Sequence, residues 1–310
     1  MPDRSSFARP RLLIVGCGDV GMRLLPLLAG KFRVFALTSQ PERRAELRAL
    51  GAVPLVADLD RPATLTRLRQ LAPWVLHLAP PQPDGEHDRR TRHLAAALGK
   101  VERMVYVSTS GVYGDCGGAL VHEHRPVAPR NARARRRVDA ERILRAWALA
   151  SGASLSILRV PGIYADDRLP LRRLEQGTPA LRAEDDVYTS HVHADDLARI
   201  VLASLQRGRA GRVVHAVDRT RMKMADYFDA VADAFGMHRP PRLARADLEG
   251  AVSPMLLSFM SESRQLDDTR LRRELRVRLR HPDVATTLAR LRAASRPDDG
   301  IVNIIYRLSV

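Results

Sequence analysis

Lysine is nearly missing from this chain. It stands only at Lys31, Lys100 and Lys223, so almost all of the 51 cationic side chains are arginine, set against 35 Asp and Glu for a formal charge of +16. A balance this basic can mark a protein of nucleic acids or anionic surfaces. The arginines, however, are spread through every predicted helix and crowd only at 133–137 (RARRR). Such a skew fits a compositional bias of the genome as well as a selected patch, and no nucleic-acid-reading motif accompanies it. Nucleic acid is therefore not expected as a main partner. Cysteine is as scarce: Cys17 and Cys116 cannot build a disulfide framework. No stretch approaches the ~18 uninterrupted apolar residues of a membrane span, so no membrane partner is expected. The first apolar run is short and ends at Gly16, which reads as a strand and not as a secretory core. A cytoplasmic location is the simple expectation. Internal repeats and low-complexity linkers are lacking too.

What is present is an alternation of strand and helix patterns, which predicts an α/β fold, a doubly wound parallel sheet of the Rossmann type. Strands are expected at 11–15, 33–38, 53–57, 74–78, 104–108 and 155–160, and helices at 19–29, 88–98 and 131–150. Pro26 inside the first helix has no explanation in the sequence. Ser39 and Glu42 have the spacing of a capping box. Pro54 cannot donate to a ladder, so the third strand should lie at an edge, where the order 3-2-1-4-5-6 puts it. Further on, a helix at 169–176, a strand at 187–192, a helix at 194–205 and a strand at 212–217 are expected, with a helical remainder. This divides the chain into a Rossmann domain at 1–165, the remaining strands and a small, mostly helical lobe at 166–295, and a tail at 296–310 of unassigned role.

Gly16-Cys17-Gly18-Asp19-Val20-Gly21 is GxGxxG, placed directly after a strand and opening a helix. Gly16 permits the tight turn, Gly18 the approach of a pyrophosphate, and Gly21 close helix–strand packing. Phosphates then meet unpaired N–H groups at a helix N-terminus. In this context the motif predicts a site for NAD(P). An acid at the end of the second strand, which would hold the ribose 2′-OH of NAD, is missing. Thr38 and Ser39 stand there, with Arg43 and Arg44 following. That favours NADP, with NAD as the alternative, while solvated arginines and a simple helix cap remain the plain reading.

Several blocks resemble a family. Asp58-Leu59-Asp60, His77-Leu78-Ala79, the run Tyr106-Val107-Ser108-Thr109-Ser110-Gly111-Val112-Tyr113-Gly114-Asp115, Leu158 to Tyr164, Ser190 to Ala198 and Ser261-Glu262-Ser263-Arg264 are similar to extended short-chain dehydrogenases/reductases, the NAD-dependent epimerase/dehydratase relatives. The likeness runs from about Arg11 to Leu291 and is nearest the divergent, atypical branch. It implies that Gly16, Gly18, Asp19, Val20 and Gly21 hold the pyrophosphate, that Asp58 and Leu59 flank the adenine, and that Ala79 and Pro80 lie along the nearer ribose. Thr109 matches the Ser/Thr that hydrogen-bonds the reacting substrate oxygen. The family's proton-shuttling Tyr and the Lys four residues later fall, however, on Arg133 and Arg137, and none of the six tyrosines is followed by Lys at that spacing. Arginine offers no acceptor and stays protonated, so Arg133 cannot shuttle a proton.

Other groups invite chemistry and have plainer readings. Tyr113 and Tyr164 resemble residues bordering the nicotinamide and substrate, but packing is favoured for both. His191, His193 and Asp195 have a metal-like spacing, yet Asp195 reads better as the cap of the next helix, and no metal is expected. His122-Glu123-His124 is weaker still. Cys17, at a helix N-terminus, reads as a small turn residue. Two functions stand side by side. One is an oxidoreductase or epimerase-like enzyme on a small polar or sugar-nucleotide-like substrate held by Arg133, Arg137 and Arg264. The other is a non-catalytic NAD(P)-binding sensor or regulator. The sequence leaves a homo-oligomer open.

Overall fold

The computed structural model describes residues 9–294. The expected tail lies outside the described residues. Seven strands form one parallel sheet: β1 (Arg11–Val15), β2 (Arg33–Thr38), β3 (Val53–Val56), β4 (Trp74–His77), β5 (Arg103–Thr109), β6 (Ser154–Val160) and β7 (Arg212–His215). Their spatial order is β3-β2-β1-β4-β5-β6-β7, the doubly wound arrangement with one strand added beyond the sixth. Pro54 pairs in register with Ala36 on the edge strand β3, as its missing N–H requires.

Helices cover both faces. α1 (Asp19–Leu28), α2 (Arg44–Ala49) and α5 (Ala194–Arg207) flank one side; α3 (Arg89–Ala97) and α4 (Ala132–Ser151) flank the other. Side chains alternate across a strand, so Leu12 and Ile14 join Leu24, Leu28, Leu197 and Val201 in one core. Leu13 and Val15 join Leu94, Ala140 and Leu144 in the opposite core. These four of the five β1 side chains are buried, each stabilising the sheet by ~1.5–3 kcal/mol. The tolerance of Pro26 has a simple basis, since it sits exposed near the end of α1. The Asp88 and Asn131 side chains cap α3 and α4, and Gly152, at φ 72°, closes α4 in the left-handed region.

A separate apolar cluster holds the C-terminal lobe, where Tyr164 and Leu174 pack with Phe228 and Val231 of α6 (Met224–Ala234) and with Val284 and Leu288 of α7 (Val284–Ala294). Four expectations need correction. The Ser39–Glu42 capping box does not form; Pro41 starts a 3₁₀ turn (Pro41–Arg43) with Gln40 as its cap, and α2 begins only at Arg44. The strand at 187–192 is broken, because Ser190 turns its carbonyl to the Gly162 N–H and its hydroxyl to the Leu266 N–H. Tyr188–Thr189 therefore pairs with Met222–Lys223, and His191–His193 with Gly162–Tyr164. The C-terminal part is not all helix, since Gln265–Leu266 pairs with Leu120–Val121 and Arg242–Leu243 with Ala180–Leu181. Asp195 is not the cap of α5: the His193 Nδ1 accepts the Asp195 N–H and takes that position.

Candidate functional site

The glycine loop joins the C-terminal end of β1 to α1. Gly16 has φ +85°, and a Cβ there would lie 2.5 Å from the backbone of Ala79. It must be glycine on both counts. A Cβ on Gly21 would press on the Cys17 sulfur at 3.0 Å, whereas one on Gly18 would meet nothing within 4 Å. The last is an open cradle, and no side chain caps α1, so its first-turn N–H groups face that space. The Asp19 carboxylate, which would repel a phosphate here, is held by Arg23 at 2.8 Å and Arg168 at 2.9 Å. The residues present thus fit a pyrophosphate. Burial pushes the Cys17 thiol up to about 11, so it is inert in the turn.

At the end of β2 the Thr38 hydroxyl accepts the Gln40 N–H, while Ser39 is exposed. Arg43 reaches across to the loop, donating to the Cys17 carbonyl at 2.7 Å and pairing with Glu46 at 3.0 Å. Asp58 closes a turn by accepting the Asp60 N–H, and the Leu59 carbonyl meets His93 at 2.7 Å. Ala79 is buried behind Gly16, and Pro80 is exposed beside it. Arg90 escaped the sequence reading. It pairs with both Asp60 oxygens and donates to the Pro80 carbonyl, tying the ends of β3 and β4 together. An arginine in a helix rich in arginine carries no signal of its own, so only the fold could single it out.

Thr109, at the end of β5, opens into a cavity of ≈400 Å³ between the sheet and the C-terminal lobe. Arg133, Arg264 and His191 line the same space, with Ile163, Phe228 and Phe259 among its apolar walls. Arg264 donates to Glu262 at 2.7 Å and to the Gly114 carbonyl at 2.9 Å. The Arg133 guanidinium lies over the Phe259 ring at 4.4 Å. Arg137 instead donates to the Tyr106 hydroxyl at 3.0 Å and the Val107 carbonyl at 3.1 Å, facing the ends of β4 and β5.

A family model described as NAD(P)H-binding matches residues 16–207. The chain belongs to this NAD(P)H-binding family. It is 33% identical over 137 residues to dTDP-4-dehydrorhamnose reductase of Mycobacterium tuberculosis (strain CDC 1551 / Oshkosh), a match covering 41% of this chain and 44% of that protein. The match thus spans less than half the length of that relative. Across 273 residues it is 26% identical to GDP-6-deoxy-D-mannose reductase of Pseudomonas aeruginosa, covering 76% of this chain and 86% of the relative. Its fold matches that of a double mutant of dTDP-glucose 4,6-dehydratase from Streptomyces venezuelae with NAD bound, at TM-score 0.73 and 23% identity, over 93% of this chain and 98% of the other. The expected Rossmann architecture and the likeness to epimerases and dehydratases both hold.

Within this NAD(P)H-binding chain the remaining candidates have other occupations. The Tyr113 hydroxyl is buried against His215 at 2.7 Å and Arg159 at 2.8 Å, and Arg159 pairs with buried Glu141, which also accepts from Ser108. The Tyr164 hydroxyl faces Thr287. Neither tyrosine lines the cavity; Tyr188 and Tyr227 do. His191 and His193 both touch the Tyr164 ring, yet they serve different places. His191 borders the cavity, whereas His193 stacks on His281 with ring centroids 3.5 Å apart. Ligand atoms of His193, Asp195 and His281 lie within 4.8 Å of one another, the arrangement closest to a metal set among the described residues. It is already engaged: the His193 Nδ1 takes the Asp195 N–H, Nε2 faces Asp166 at 3.4 Å, and Asp195 pairs with Arg23. His122 and His124 stack on each other, while Glu123 turns inward to the His215 N–H. The RARRR run is not a free basic strip either, since Arg135 pairs with Glu86 and Arg136 donates to the Gly85 carbonyl. No helix among the described residues is long and apolar enough to cross a membrane.

Proposed function

We propose that this chain binds NADP along the glycine loop and acts as an oxidoreductase or epimerase-like enzyme on a small polar substrate in the cavity at Thr109. Gly16, Gly18, Asp19, Val20 and Gly21 hold the pyrophosphate through backbone N–H groups. Asp58 and Leu59 flank the adenine, and Ala79 and Pro80 border the nearer ribose. Thr38, Ser39 and Arg43 receive a 2′-phosphate. NADP is favoured over NAD because Arg43 stands beside the loop where a carboxylate would be needed for the bare hydroxyl. When bound, the nicotinamide supplies the hydride chemistry. The protein's part is to seat the substrate oxygen on the Thr109 hydroxyl and to shield it within the lobe.

The observation that carries this reading is the placement of Thr109 in a cavity at the C-terminal ends of the strands, where open α/β sheets bind ligands. Relatives named as reducing sugar-nucleotide derivatives make such compounds the first to screen. Arg133 and Arg137, in place of Tyr and Lys, favour a second reading: an NADP-binding sensor or regulator that performs no turnover. Calorimetric titration with NADPH, NADP, NADH and NAD tests the cofactor, and NADPH consumption with candidate substrates separates the two readings. If none of the four binds, both fail.

A further inference from the structure

The cavity contains one buried group that its walls leave unsatisfied and one guanidinium that no polar group among the described residues engages. Arg133 makes no hydrogen bond or ion pair among the described residues and rests only on Phe259. His191 is buried, and its Nδ1 has no hydrogen-bond partner among the described residues. Native proteins seldom leave a buried ring nitrogen unpaired without a ligand, a water or a strain to account for it. Beside these, Arg264 spends one nitrogen, Nη1, on Glu262 and the Gly114 carbonyl, while its Nη2 makes no hydrogen bond among the described residues. Glu262 carries a single charge and pairs with Arg264, so it cannot neutralise both guanidinium groups. The rest of the wall includes an apolar stretch of Ile163, Met224 and Phe228, and Arg168, which also lines it, is already paired with Asp19.

We infer that Arg133 and Arg264 form an anion clamp at the mouth of this cavity, and that the substrate carries a carboxylate or phosphate next to the oxygen held by Thr109. This rests on the cavity being the substrate site. The clamp occupies the position where the resembled family has a proton-transferring phenol. A guanidinium there cannot pass a proton, but it binds planar oxyanions through paired donors. At the buried end, His191 donates to or accepts from a polar group of the ligand, and the apolar wall takes its hydrocarbon body. A small 2-oxo or 2-hydroxy acid with an apolar side chain satisfies each feature; the diphosphate of a sugar nucleotide satisfies the clamp alone.

The test is calorimetry on NADPH-loaded protein with three probes: phenylpyruvate, its neutral counterpart phenylacetone, and dTDP-glucose. The clamp predicts binding of at least one anionic probe, at least tenfold tighter than phenylacetone, with that advantage lost in Arg133→Gln and only partly restored in Arg133→Lys, which keeps the charge but not the paired donors. Phenylpyruvate alone binding assigns a carboxylate; dTDP-glucose alone binding assigns a phosphate. Arg133 is exposed, so its variants fold; thermal unfolding confirms this, and Arg264→Gln serves as a second variant. Equal affinity for neutral and anionic probes, or anion binding indifferent to both Arg133→Gln and Arg264→Gln, overturns the clamp, as does failure of both anions to bind. NADPH affinity is read in the same samples. If NADPH binds and the anions do not, only the clamp falls; if NADPH does not bind, the cofactor reading falls first.

Discussion

The glycine loop and the arginine-lined cavity lie along the same edge of the sheet and are built in opposite ways. Six consecutive residues make the loop, and what it offers a ligand is backbone N–H. The cavity collects side chains from β5, from α4, from the segment around His191 and from the stretch before Gln265. Its chemistry depends on which residues those distant segments happen to carry. A backbone site tolerates drift in everything except its glycines. A side-chain site can change its chemistry by one or two substitutions while the fold stays intact.

The sharpest way to break this comparison is to attack the loop where sterics alone should decide. Gly16→Val places a β-branched side chain at φ +85° and 2.5 Å from the Ala79 backbone. It should cost about 3–5 kcal/mol or abolish cooperative unfolding, measured by denaturant titration. Gly18→Ala, with nothing within 4 Å of the new Cβ, should leave stability within about 0.5 kcal/mol and cut NADPH affinity. If the two variants destabilise equally, the distinction between a steric and a ligand-facing glycine is wrong.

Beneath the cavity, Glu141→Gln leaves the Arg159 charge buried without its bidentate partner. Removing one member of such a pair costs about 3–5 kcal/mol, again read from denaturant midpoints. A loss below about 1 kcal/mol would mean that water reaches the pair. A smaller effect is expected at the cofactor end. Arg43→Ala should weaken NADPH binding about tenfold, roughly 1.4 kcal/mol, while leaving NADH binding unchanged. Equal loss for both cofactors would place Arg43 in support of the loop instead of at the 2′-phosphate.

The smallest effect is in pH dependence. Burial pushes His77 and His215 down to about 3 and His191 to about 4. The unfolded chain therefore binds more protons than the native one below the ordinary histidine value, and stability falls as the pH drops through that window. Asp218 acts the other way: burial pushes it up to about 7, so the folded state takes up its proton first and gains stability on acidification. Moving from about pH 7 to about pH 5 should lower the melting temperature, and Asp218→Asn should steepen that fall. A shallower fall in the variant would reverse the role given to Asp218.

Much of the fold was legible from local rules. The apolar run of β1, Pro54 on the edge strand, and Asn131 and Gly152 bounding α4 are each a local preference that the tertiary structure keeps. The failures share a cause. Ser39 and Glu42 lost their capping box because Pro41 redirected the backbone, and Asp195 lost its role as cap because the helix already begins at Ala194, with His193 as the cap. In both places two local solutions competed and the sequence does not rank them. Arg90 was invisible for another reason, since it stands in a helix rich in arginine and only contact distinguishes one that bridges two strand ends.

By itself the sequence determined the alternating α/β order, the position of the glycine loop and the absence of a Tyr–Lys pair, because these depend on residues near one another in the chain or on simple inspection of residue types. Tertiary structure alone decided that Tyr113 and Tyr164 are spent in buried contacts, that His191 and His193 part company, and that Arg133 shares a cavity with Thr109 and Arg264. Hydrogen bonds and desolvation act between atoms brought together across a hundred or more residues, and their outcome is fixed only when the lobe closes over the sheet.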